Sequence, residues 1–329
     1  MEKDFNRQMK LFFIQNRTAL VIFVLMILNG TLFFLLGQRF GIKKVRGPSV
    51  SAPLSVVKNQ VEINDKRNRD LIVATSAFPP HFSFLAHSIN LSRFVSAGFR
   101  DQGLFEAAQS GFIEDLFKTV APPEASFVDV GSNIGWFPML IANTGHHVYA
   151  IEGFTYNLEL LYANLAINPH LSSFIHVVPK AVTGPDYTKK QLCIKPFVSN
   201  NDNEDNGQPQ PNDDVCQKGE LAAASTVDKE LVELVSDKRR PFLVNYDIEG
   251  YEFEAMKGSE TFLTRFKPCY VLVDIDHIKI FGTDFDTIRA WMKARDYDLC
   301  VHAVDRDKLF QHKSCSHYAP KIPECELFD

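Results

Sequence analysis

Short apolar, β-branched runs alternate with segments of helical period through the C-terminal two thirds of the chain, and this alternation limits its folds more than any other feature. The runs are Phe127–Val130 then Trp136–Ala142, Val148–Ile151 then Tyr156–Ile167, and Phe174–Val178. Further on come Phe242–Tyr246 then Phe253–Phe266, Tyr270–Ile275 then Ile288–Ala294, and Leu299–Val304. Strands that alternate with helices pair in parallel through right-handed crossovers. The pattern predicts an α/β fold with a doubly wound, mostly parallel, Rossmann-like sheet. With 329 residues and 28 Phe the chain has ample material for such a core. The net charge of −5 gives no support for a broad polyanion-binding surface, so nucleic acid is not expected as a partner.

The N-terminal part reads differently. Thr18–Gly37 is a run of twenty residues without a formal charge. At helical rise it spans about 30 Å, the thickness of a hydrocarbon core. It is read as one transmembrane helix, with the lipid bilayer as its partner. A cleaved signal peptide would have a shorter apolar stretch and a small-residue cleavage site, whereas Gln38, Arg39 and Phe40 follow here. Lys3, Arg7, Lys10 and Arg17 precede the helix, and Arg39, Lys43, Lys44 and Arg46 follow it, so flanking charge does not orient it. The division expected is a short tail at 1–17, the anchor at 18–37, a stem of little order at 38–80, and the folded domain at 81–329. A short tail before a large C-terminal domain suits a signal anchor with the domain on the lumenal side, in the Golgi or endoplasmic reticulum. Asn90-Leu91-Ser92 would then be a glycosylation acceptor.

Apolar residues at helical spacing predict a leading helix over Gln102–Val120, stopped by Ala121-Pro122-Pro123. A stretch rich in Asn, Asp, Pro and Gly at 199–214 interrupts the αβ alternation and reads as a surface excursion. Cys193 and Cys216 flank it, and a disulfide between them can close it; that all six cysteines are free thiols is the alternative. The sequence does not disclose an oligomeric state.

Two constellations carry chemistry. In the first, the strand Phe127–Val130 runs into Gly131, and Gly135 precedes a helix, so amides near Ser132 and Asn133 should face the crevice at the strand's C-terminal end. Glu152 ends the next strand, where a carboxylate can accept both hydrogen bonds of a ribose diol. Gly131-Ser132-Asn133 lacks the second glycine that packs a pyrophosphate against the loop. S-adenosylmethionine has no pyrophosphate, and Asp129 can hold its ammonium, so a methyl donor is preferred to NAD. An NAD-dependent oxidoreductase and a catalytically inactive, membrane-tethered binding module are the alternatives.

These residues are similar to the FkbM-type methyltransferase family within the class I S-adenosylmethionine-dependent fold. The resemblance rests on FVDVGSNIGWF at Phe127–Phe137, YAIEG at Tyr149–Gly153, the KAV of Lys180–Val182, STVDKEL at Ser225–Leu231 and NYDIEGYEFEAMKG at Asn245–Gly258. It implies that Asp129, Gly131, Ser132, Asn133 and Gly135 line the methionine end of the donor, that Glu152 meets the ribose, and that Ala181 and Val182 lie near the adenine. It also points to an O-methyltransferase acting on a hydroxyl of a glycan, glycolipid or small natural product.

The second constellation is Asp247-Ile248-Glu249-Gly250, which leaves the C-terminal end of the strand Phe242–Tyr246. Alternation along an extended chain would put Asp247 and Glu249 on one side. Methyl transfer to an alcohol needs in-line alignment and removal of a proton, for which Asp247 is the first candidate, Glu249 the second and His277 the third. The competing reading has Glu249 capping the next helix and Asp247 ordering the loop. Asp247, Glu249, Asp274 and Asp276 could instead gather round a divalent cation, but no His–Cys spacing supports zinc and no metal is expected. Trp136 and Phe154 either border the donor pocket or belong to the core, and His146-His147 is expected on a turn.

Overall fold

The apolar runs become the middle of a seven-stranded sheet in the computed structural model of the chain, which describes residues 55–57, 60–62, 71–88, 93–196, 207–212, 215–300 and 307–321. Two antiparallel pairs come first, β1 (Ser55–Val57) with β2 (Gln60–Glu62) and β3 (Ile72–Thr75) with β4 (Ser83–Ala86). Helix α1 (Arg93–Gln102) and helix α2 (Ala107–Asp115) follow, and α2 runs on into a π-helical turn at Leu116–Val120. Next come β5 (Ser126–Val130), α3 (Trp136–Ala142), β6 (His147–Glu152), α4 (Thr155–Ile167), α5 (Pro169–Ser172) and β7 (Ile175–Pro179).

The chain then leaves the main sheet through β8 (Ala181–Val182), β9 (Gln191–Pro196), β10 (Gly207–Gln210) and β11 (Glu220–Ser225), which form a second sheet of order β10-β9-β11-β8. It returns through α6 (Val227–Leu231), β12 (Pro241–Tyr246), α7 (Glu252–Lys257), α8 (Glu260–Phe266), β13 (Tyr270–Val273), α9 (Phe285–Lys293), β14 (Tyr297–Leu299) and β15 (Lys308–His312). The main sheet has the order β14-β15-β13-β12-β5-β6-β7. From β13 to β7 every pair is parallel, while β15 is antiparallel to both β13 and β14.

Burial on both faces explains why the central strands are apolar throughout. In β13, Tyr270 and Leu272 enter one core cluster, and Val271 and Val273 enter the other. The first cluster packs against α1, α2, α3 and the β3–β4 hairpin; the second packs against α6, α7, α8 and α9. Register sets the functional edge: Tyr246 of β12 stands opposite Val130 of β5 and Val273 of β13. Gly131, Asp247 and Asp274 therefore all leave the sheet at one level.

Several sequence expectations are corrected. Residues ahead of 81 also take part in the core. Ala74, Phe84 and Leu85 of the β3–β4 pair are core residues, and the Asn164 side chain binds both the amide and the carbonyl of Leu85, at 2.6 and 3.0 Å. The leading helix starts at Ala107, because Glu106 is left-handed at φ 43° and separates it from α1. The Phe253–Phe266 segment is two helices, α8 having its own cap: the Asp228 carboxylate accepts from the amides of Thr261 and Phe262 at 2.9 and 2.6 Å.

His147 belongs to β6 rather than to a turn, and His146 is buried just before it. Trp136 is core: Phe82, Phe84 and Phe99 surround its ring, and its indole N–H reaches Ser110 Oγ at 2.8 Å. The polar excursion is not wholly a loop, since its Gly207–Gln210 segment is β10, paired antiparallel with β9.

Disulfides link Cys193 to Cys216 and Cys269 to Cys315, and Cys300 is also disulfide-bonded. Among the described residues no helix is long and apolar enough to cross a membrane; Thr18–Gly37 and Asn90 lie outside them. The Cys269–Cys315 link spans 46 positions and ties the start of β13 to the segment after β15. Loop-closure entropy makes such a bond worth roughly 2–4 kcal/mol. Cys269→Ala with Cys315→Ala should lower the unfolding free energy by about that amount in denaturant titrations, with the urea m-value checking for a change in the denatured state.

Candidate active site

The glycine turn after β5 is built for close approach. Gly131 sits at φ 96°, and a Cβ there would lie 1.7 Å from the carbonyl oxygen of Asp247. No side chain fits that position, and the left-handed backbone favours glycine independently. Asn133 and Gly135 are also left-handed, at φ 48° and 91°, so the chain coils tightly before α3.

The amides of this turn are not all turned to the crevice as the sequence suggested. Those of Gly131 and Ser132 donate to the Ile151 carbonyl at 2.9 and 3.0 Å, and that of Asn133 donates to Glu152 Oε2 at 2.8 Å. Ser132 Oγ donates to the Asp129 carbonyl at 2.8 Å. The turn is thereby clamped to β6.

Glu152 faces the glycine turn. Its Oε1 accepts from the Phe154 amide at 2.7 Å, so one carboxylate fastens the loops after β5 and β6 together. Burial pushes its pKa up to about 7, against the opposing pull of those amides. Each carboxylate oxygen has two lone pairs, so ribose hydroxyls can still be accepted. Ala181 and Val182 are buried on β8 beside this loop, with Ala181 backed directly against Gly153.

Asp129 is buried under the turn. Asn245, its register partner on β12, donates to Oδ1 at 3.0 Å, while Oδ2 is buried with no hydrogen-bond partner. Desolvation raises its pKa to about 6. A buried carboxylate oxygen without a partner is costly, and a ligand cation would relieve that cost. An ammonium group meets this requirement, so the residues present fit S-adenosylmethionine. Asn245 carries no local signal of its role; it emerges from the parallel register alone.

At the next strand end, β12 stops at Tyr246 and Asp247–Gly250 is a turn rather than extended chain. Glu249 is left-handed at φ 56°, so strand alternation does not set its direction. The turn is held by Glu252, whose Oε1 accepts from the amides of Ile248 and Gly250 at 2.9 and 3.0 Å. Glu249 is therefore not the capping residue. Its Oε2 stands 3.3 Å from His277 Nδ1, uniting the second and third candidates.

Asp247 adjoins this pair. Burial first, then the carboxylates of Asp274 and Glu249, raise its pKa well above the ordinary range. One ligand atom from each of Asp247, Glu252 and Asp274 lies within 4.8 Å of the others. That set could hold a hard divalent cation, and it differs from the sequence grouping by taking Glu252 in place of Glu249 and Asp276. Asp276 is exposed, its amide donating to Asp274 Oδ1 at 2.9 Å. A groove of about 600 Å³ lies elsewhere, along α9 and β14, and contains none of these residues.

The family described as methyltransferase FkbM domain matches residues 129–299, just over half of the chain and all of the site above. No curated protein matches the chain by sequence. Among solved structures, the S-adenosylmethionine-dependent methyltransferase of Agrobacterium tumefaciens is 9% identical, with 77% of this chain and 74% of that chain covered at a TM-score of 0.40. TrmK of M. capricolum, solved with the cofactor product S-adenosylhomocysteine, is 11% identical over 61% of this chain and 68% of its own, at 0.33. The precorrin-6y C5,15-methyltransferase of Geobacter metallireducens is 9% identical over 60% and 84%, also at 0.33. At these scores the family match alone carries the assignment, and S-adenosylmethionine is the cofactor.

The buried carboxyls make folding proton-linked. Asp129 and Glu152 have folded pKa values of about 6 and 7, above an ordinary range near 4. Their neutral forms are the ones that the fold favours, so their contribution is whole below about pH 4 and is lost as pH rises through 6 and 7. The thermal midpoint of the ligand-free protein should fall between pH 5 and pH 8. Asp129→Asn should flatten that fall by about 1–2 kcal/mol in scanning calorimetry, and an unaltered slope would contradict the assignment.

Proposed function

Because the chain belongs to the FkbM methyltransferase family, we propose that it transfers a methyl group to a hydroxyl oxygen of a glycan, glycolipid or small natural product. The observation that carries this reading is the meeting of Asp247 with the Glu249–His277 pair on the sheet edge, directly against the glycine turn. Bound S-adenosylmethionine supplies a methyl group on a sulfonium. Asp129, Gly131, Ser132, Asn133 and Gly135 would surround its methionine end, Glu152 its ribose, and Ala181 and Val182 its adenine.

The remaining work falls to the chain's own side chains. As the acceptor oxygen gains its bond to carbon, its proton must leave. His277, whose Nδ1 stands 3.3 Å from Glu249 Oε2, is the group that takes it. Asp247, which the sequence ranked first, has its protonated form favoured by burial and neighbouring carboxylates, and it orients the acceptor by hydrogen bonding.

The anchor reading of Thr18–Gly37 belongs to the same proposal, with a tail at 1–17 before it and a stem after it. Disulfides form in oxidising compartments, and the Cys193–Cys216 and Cys269–Cys315 bonds support a lumenal domain in the Golgi or endoplasmic reticulum. A glycan hydroxyl is the acceptor class such a location offers.

Radiolabelled S-adenosylmethionine incubated with a panel of methyl glycosides, free glycans and glycolipids tests the reaction, with label in an ether linkage as the expected product. His277→Gln and Glu249→Gln should each lower kcat by about 10²-fold or more while calorimetric affinity for S-adenosylhomocysteine stays within twofold. Unchanged turnover in both would remove them from the chemistry. In sealed vesicles the domain should resist protease until detergent is added; digestion without detergent would reverse the orientation.

A further inference from the structure

The Gly207–Gln210 segment lies in the polar stretch that separates the two halves of the main sheet, yet it is not a solvated loop. Gln208 is only 8% exposed. A buried primary amide is tolerated when both of its ends are hydrogen-bonded. Here Gln208 Nε2 donates to the Glu249 carbonyl at 3.1 Å, and Gln208 Oε1 accepts from Gln210 Nε2 at 3.2 Å.

The carbonyl that Gln208 holds belongs to the left-handed residue whose carboxylate meets His277. On the other side of the turn, Glu252 binds the amides of Ile248 and Gly250. The turn is thus gripped from both sides, by its amides and by its carbonyl. A non-glycine residue at φ 56° persists only where its surroundings over-determine it.

The residue before Gln208 touches the donor side. A Cβ on Gly207 would lie 2.9 Å from Phe154 Cβ and 2.8 Å from Ile194 Cγ2, so glycine allows β10 to lie flush against Phe154. The Phe154 amide in turn donates to Glu152. The first two residues of β10 therefore touch both the loop of the ribose acid and the turn of the proton-accepting pair. Its partner β9 presents Cys193 opposite Gln210, and the bond from Cys193 to Cys216 braces this corner.

We infer that β10 forms a wall of the site and that Gln208 is a positioning residue for methyl transfer, acting through the Glu249 backbone to aim the Glu249–His277 pair. This rests on the function proposed above. It assigns part of the acceptor geometry to the disulfide-braced second sheet instead of to the main sheet.

Gln208→Glu keeps the shape and removes the donor, and Gln208→Met keeps the length and removes both polar ends. Hydrogen exchange at the amides of Asp247–Tyr251 should quicken at least tenfold in both, with calorimetric affinity for S-adenosylhomocysteine within twofold of the parent. With whichever methyl glycoside accepts label, kcat should fall at least tenfold while the donor KM stays level. Gln210→Ala, at a half-buried position that the fold should tolerate, should give a smaller change of the same kind and keeps the test informative if the other variants do not fold.

Unchanged exchange at Asp247–Tyr251 would overturn the inference. So would a loss of donor affinity and thermal midpoint in step with kcat, which is the signature of a mere structural brace. If no hydroxyl acceptor takes label, the proposed function fails, whereas exchange and donor affinity still report on the clamp itself.

Discussion

The site depends on one backbone interlock between neighbouring parallel strands. The amide of Asp247 donates to the Val130 carbonyl at 2.9 Å, continuing the β5–β12 ladder one residue past the strand end. The Asp247 carbonyl then occupies the space in which any residue but glycine at 131 would place its Cβ. The turns after β5 and β12 are consequently one packed unit. In open parallel sheets such edges hold ligands because side chains and loops from several strands converge there without hydrogen-bonding one another away.

Convergence concentrates carboxylates. Asp129, Glu152, Asp247 and Glu252 all have raised pKa values, in each case chiefly because they are buried. A fold that buries four acids gives up stability near neutrality. Backbone amides limit that loss at Glu152 and Glu252, and the Asn245 amide does so at Asp129. Oδ2 of Asp129 stays buried with no hydrogen-bond partner.

Much of this was readable beforehand. The β-branched runs predicted the parallel sheet because a strand buried on both faces has no polar residues to hide. Gly131 and Glu152 announced themselves by position: one ends a strand where the chain must turn, and the other ends the next strand. The FVDVGSNIGWF and NYDIEGYEFEAMKG segments carried the family resemblance, and the family match over residues 129–299 agrees with it. Alternation does not place Glu249 beside Asp247, because Asp247–Gly250 is a turn and Glu249 is left-handed.

Local sequence determined the elements, the glycine turn and the acids at strand ends, since each follows from neighbouring residues and from the periods of helix and strand. Tertiary structure alone decided which distant groups meet. Asn245 reaches Asp129 across 116 positions through strand register, Glu249 finds His277 from a separate loop, and Gln208 comes back to Glu249 from a stretch that composition marks as solvent-exposed. Those pairings depend on how β12 stands beside β5 and on how a second sheet folds against the first. Neither is written in a local period, because they are settled by the packing of the whole core.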